Sequence, residues 1–373
     1  MPGFDVDVAS VAALGSLMRR NAEAAGVFVH HLEIRRPDKV EEGLLGLLNG
    51  PLNRLQDLGE ANTRRGHELG LGAGTELRKA AEFYGSVDRT KATYLDMMYP
   101  GAAPTRLSRH EVVGPDARFD EGRDPGADPA NPDKPYNGPP THPTPEDVAT
   151  GGWPLRIEDE IDKLTGQCSV ARHVRDLVTA ISGKDIFSIL LSFVSGDWGD
   201  LYRQGKVFED TAFAFTVIKD NVDRGRYLVQ DKWEGNAANA AEDWIAAYAK
   251  ACAAHAEFMA EVGGQIRKFA STAYHALQAL NIGLDFLIDT LVDLLLRGYG
   301  GPFVGGAISI LRGENPLHAV VSVMLAVSRI SDVIDALRAA AHVVVGAIEQ
   351  VVANGEVVAK AWPSLGYDHP AVT

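Results

Sequence analysis

The sequence predicts an all-α protein, an elongated antiparallel helical bundle. Apolar residues recur at three- and four-residue spacing along most of the 373-residue chain, the pattern of helices with one buried stripe. No segment shows the strict alternation of a half-buried strand. With 46% hydrophobic residues the chain also has ample material for a core.

Taken in order, residues 1–99 read as a helical hairpin. Asp7 is placed to cap a first helix running to about Ile34, ahead of the Pro37 stop, with Val8, Val11, Ala12, Leu14 and Leu17 opening its apolar face. Residues 41–74 carry eight glycines among leucines, which predicts a loose connector with one short helix around Leu52–Leu58. A second helix is expected from near Thr75 to Pro100, with Ala80, Phe83, Tyr84, Val87, Tyr94, Leu95 and Met98 on one stripe.

Residues 100–155 hold 12 of the 19 prolines, mixed with Gly and Asp, and read as an extended linker without a core of its own. Residues 156–277 read as the main helical domain. One rod is expected over about 199–231, with Leu201, Phe208, Phe215, Val222, Val229 and Trp233 on its apolar face. A second begins beyond the Trp233-Glu234-Gly235 turn, with Trp244, Tyr248, Met259, Ile266 and Phe269 on its apolar side. Two such rods need further helices to cover their shared face, and the amino-terminal hairpin is the candidate. Residues 278–373 are more apolar: a helix with Asp285, Asp289 and Asp293 on one face, a break at the six glycines of residues 298–316, then helices at about 316–328 and 329–353.

Charge and motifs narrow the function. With 50 acidic against 36 basic residues the formal charge is −14, which argues against nucleic acid as a partner. Two cysteines, Cys168 and Cys252, form at most one bridge and build no zinc or iron–sulfur centre alone. Asp5 and Asp7 stand where a secretory signal carries Lys or Arg, and no uncharged run reaches the length of a membrane-spanning helix. HExxH, GxSxG, the phosphate-loop pattern and a strand-to-helix GxGxxG are all missing from the sequence. Adjacent His30 and His31 point to different faces of a helix. The expectation is therefore a protein that is not an enzyme, with no catalytic, cofactor-binding or metal-binding residues.

Two short motifs remain. At Trp233 and Gly235 an indole ends the incoming rod and a glycine gives the backbone freedom to reverse, with Asn236 available as a cap. A plain helix hairpin plugged by an aromatic uses the same residues. Tyr84 and Asp88 stand one turn apart on one helix face; alone they read as a core ring and a solvated acid. The same spacing recurs at Tyr227 and Asp231, inside the long rod.

Together these elements resemble the type VII (ESX) secretion substrates of actinobacteria, the WXG and PE/PPE superfamily, and especially EspB-like fusions that carry a PE-like hairpin and a PPE-like domain in one chain. Residues 77–96 (LRKAAEFYGSVDRTKATYLD) resemble the second PE-like helix with its Tyr-x-x-x-Asp element, here Tyr84 and Asp88. Residues 232–244 (KWEGNAANAAEDW) resemble the Trp-x-Gly turn and its exit helix, here Trp233 and Gly235. Residues 194–215 resemble the lead-in to the first WXG helix of secreted toxins. The resemblance implies a non-enzymatic protein secreted without a cleavable signal peptide, exported through a composite label read by the type VII secretion ATPase machinery. A secretion chaperone and a homo-oligomer are further partners it brings into view. The apolar helices of residues 278–361 depart from the family pattern, most of all residues 278–353. Their apolar surplus suggests self-association or, as the competing reading, a ring-forming or membrane-active protein that meets a lipid surface.

Overall fold

Asp7 does what its position suggests. Its carboxylate accepts from the Ala9 N–H (3.1 Å) and the Ser10 hydroxyl (2.8 Å), capping α1 (Val8–Ile34). The hydroxyl bond holds the Asp7 carboxyl below its ordinary pKa. In this computed structural model the described residues are 5–36, 43–86, 124–129, 131–136, 198–296, 316–364 and 366–367, and 88% of them are helical. After β1 (Asp5–Val6) and α1 come α2 (Gly43–Ser86), β2 (Ala127–Asp128), β3 (Asn131–Pro135), α3 (Trp198–Val229), β4 (Trp233–Glu234), α4 (Asn236–Leu296) and α5 (Pro316–Ala361).

Helices α1 and α2 form one antiparallel pair and α3 and α4 another; α1 lies on α3, α2 meets α4, and α5 runs back along α4 and α2. The shared core draws on α1 to α4 and on the segment just after α5: Leu14, Leu77, Phe215, Val222, Trp233, Tyr248 and Trp362 are buried in one cluster. Polar pairs inside this core fix the register of the helices. Asn221 donates to Asn21 (2.9 Å), Gln204 to Gln56 (3.0 Å), and the Tyr248 hydroxyl to the Gly66 carbonyl (3.0 Å).

The glycines of residues 41–74 do not loosen the chain. A single helix, α2, runs through them and through Pro51. Four of them, Gly59, Gly66, Gly70 and Gly74, serve close approach instead. A Cβ on Gly74 would lie 2.7 Å from the Gly15 carbonyl oxygen, and one on Gly70 would lie 2.7 Å from the Tyr248 hydroxyl. A glycine demanded by a neighbouring helix looks the same in sequence as one demanded by a loop.

Other expectations shift too. The absence of strands fails in two small places, where β1 pairs with β4 and β2 with β3, both antiparallel. The second ladder belongs to the proline-rich segment, part of which docks on the bundle. Tyr136 is 4% exposed, stacks on Phe28 at 4.7 Å, and donates its hydroxyl to Asp210 Oδ2 at 2.8 Å. Burial raises the Asp210 pKa, while Lys206 at 3.0 Å opposes the shift. The boundary at residue 277 falls inside α4, whose 61 residues extend about 90 Å. The two carboxy-terminal helices are one, α5, because no break separates residue 328 from 329. As one helix, Val327–Ala361 is long and apolar enough to cross a membrane by length and composition, which uninterrupted uncharged runs did not suggest.

Candidate functional site

The turn between α3 and α4 is held by three separate parts of the chain. The Lys232 N–H donates to the Val229 carbonyl (2.9 Å), turning the chain after α3. Gly235 then takes φ 125°, the left-handed region that side chains disfavour, and α4 starts at the next residue. The Asn239 N–H donates to the Gly235 carbonyl (3.1 Å), so Gly235 rather than Asn236 stands in the capping position. From the other end of the sequence β1 lies against the turn, pairing Val6 with Trp233 and Asp5 with Glu234. The Asp7 N–H donates to the Lys232 carbonyl at 2.6 Å.

Tyr84 completes the group. The spacing that put it on the apolar stripe of its helix brings its ring to the Trp233 indole, 6.1 Å between centroids at 69°, an edge-to-face contact. Phe83 meets Tyr84 in a similar geometry at 6.0 Å. Tyr84 is 8% and Trp233 3% exposed, so both rings are part of the core and only their margins reach the surface. Of the four expected residues, the structure brings Trp233, Gly235 and Tyr84 to one end of the bundle. Asp88 lies outside the described residues. In the repeated spacing, Tyr227 is half-buried and Asp231 exposed.

Behind the indole lies an ionic group that the sequence did not single out. Arg226 is buried; its Nη1 donates to Asp223 (3.0 Å) and its Nη2 stands 3.7 Å from Glu242 of α4. The three-residue step from Asp223 to Arg226 is legible as a helical pair. Glu242 is not, because the α3–α4 register sets it. Arg226 and Glu242 line a cavity of about 20 Å³, partly open to solvent, with Leu14, Val229, Trp233 and Ile245 in its walls.

Elsewhere the titratable groups are structural. His255 is fully buried between Phe215 and Trp362, with its Nε2 2.9 Å from the Thr63 hydroxyl, and burial pushes its pKa down to about 3. Cys252 is a free buried thiol whose pKa burial raises; Cys168 lies outside the described residues. His30 is exposed and His31 buried against Tyr136, as adjacent helical positions require. Among the described residues no group of three or more His, Cys, Asp or Glu side chains is placed to hold a metal ion. Compared with known proteins, the chain matches no family model, no curated protein and no solved structure.

Proposed function

We propose that the chain is a non-enzymatic export substrate of the type VII kind, and that Trp233, Gly235, Tyr84 and Asp88 form its composite export label. The observation that carries this reading is the contact of Tyr84 with Trp233, two residues far apart in sequence that meet at one end of an all-helical body. A label read by a secretion ATPase needs a rigid presentation, and the strand from Asp5–Val6, the Gly235 reversal and the Tyr84 edge supply it. Asp88, four residues beyond Tyr84 in the sequence, would add the charge that the rings lack. A single chain holding both halves replaces an encounter between two proteins with a high effective concentration. The test is export of chains carrying Tyr84→Ala or Asp88→Ala into culture filtrate, with helical content measured in parallel. Folded variants that still leave the cell through the same ATPase would refute the label.

The second reading concerns assembly. On α5, Val321, Met324, Leu325, Val343 and Val357 are 50–72% exposed, and 24% of its most apolar 18-residue window is buried. Such a face favours contact with another copy of the chain after export, or with a lipid surface. The exposed acids Asp332, Asp335, Glu349 and Glu356 on the same helix weigh against anionic lipid. Light scattering with and without residues 316–373 separates assembly from a monomer.

A further inference from the structure

The cavity behind Trp233 carries more than its packing requires. The Trp233 indole Nε1–H is buried without a hydrogen-bond partner, and so is the Nε–H of Arg226. Two donors left unmet in one place are expensive in a folded core, where nearly all such groups find an acceptor. Both side chains line the same small, partly open cavity, whose volume of about 20 Å³ is the room of a single oxygen atom or water.

We infer that this cavity is a socket for one neutral acceptor oxygen, filled by water in the free protein and by a backbone carbonyl of the partner that docks on the Trp turn. This rests on the export reading above and says how the label would be read. The charge around the cavity selects the class. Arg226 is matched already by Asp223 at 3.0 Å and Glu242 at 3.7 Å, so a carboxylate or phosphate would find no spare positive charge and would face Glu242 in the cavity wall. A carbonyl brings no such penalty. The indole thus has two separate jobs: its ring packs on Tyr84, and its N–H is kept for the partner.

Two experiments test the socket. In the full wild-type chain, the nitrogen-15 resonance of the Trp233 indole N–H is followed during addition of N-methylacetamide, a neutral carbonyl probe, and in parallel of acetate. A progressive shift with N-methylacetamide and none with acetate is expected. No response to N-methylacetamide, or an equal response to acetate, overturns the assignment without any need for a variant to fold. In cells, Trp233→Phe keeps an aromatic ring beside Tyr84 and removes only the donor; export should fall about tenfold with the thermal melt retained, the size of one lost buried hydrogen bond. Full export of Trp233→Phe together with loss in Trp233→Ala would overturn the socket and leave the label standing. Full export of both would overturn the label itself.

Discussion

The end of the bundle at the Trp turn and the outer face of α5 use apolar residues in opposite ways. At the turn, Trp233 and Tyr84 are almost completely buried, and β1, α2, α3 and α4 all contribute to covering them. On α5, Val343 is 72% and Val357 67% exposed, although the helix's inner face is packed, with Ile330, Ile334, Ala341 and Ile348 buried. Burial of apolar area supplies most folding free energy, so the first region stabilises the monomer and the second holds apolar surface in reserve. Under the export reading proposed above, recognition at the turn would depend on shape and a few polar groups, while contact through α5 would depend on exposed area.

The sharpest way to break the first half of this contrast is to empty the core. Phe215 is fully buried, 4.6 Å from the His255 ring and 6.3 Å from Trp362. Phe215→Ala should cost about 4 kcal/mol in chemical denaturation, from lost transfer energy and a cavity. A loss below about 1 kcal/mol would mean that this core is loosely packed.

Acid provides the next largest effect. With the folded pKa of His255 down at about 3 against an ordinary 6.5, the unfolded chain binds a proton that the folded chain does not across that interval. The contribution is fully present above pH 6.5 and is lost progressively as pH falls toward 3. His255→Gln should flatten the pH dependence of the melting temperature between those limits. An unchanged slope would locate the acid sensitivity elsewhere.

Smaller still is the helix cap. Asp7→Ala should cost about 1 kcal/mol, measured by denaturant titration, since two hydrogen bonds to the first turn of α1 are lost. Least of all in monomer stability, within about 0.5 kcal/mol, is Val343→Ser on the open face of α5. The same substitution should reduce the mass seen by light scattering if that face joins copies. An unaltered mass at every concentration would remove Val343 from any interface.

Much of this arrangement was legible in the sequence, and the failures share a cause. The Asp7 cap, the two rods and the reversal at Gly235 follow from local chemistry at fixed spacing, and so they were readable. The glycines of residues 41–74 were misread because the reason for the closely packed ones lies on other helices: the Gly15 carbonyl and the Tyr248 hydroxyl leave no room for a side chain at Gly74 and Gly70. Tyr136 was lost among prolines for the same reason, since Phe28 and Asp210, its partners, come from distant segments. At the site, Trp233, Gly235 and Tyr84 announced themselves by type and spacing. Arg226 with Glu242, and the two unmet donors, depend on a register between α3 and α4 that no local pattern encodes.

One measurement bears most directly on the claim that Trp233 and Tyr84 act as one label. Export of Trp233→Ala, Tyr84→Ala and the double variant into culture filtrate would be compared at equal cellular levels, with each chain shown to be folded. Residues acting as one unit give a double variant exported no worse than the poorer single variant. Defects that multiply would show two independent signals, and export at the wild-type level in all three would contradict the account altogether.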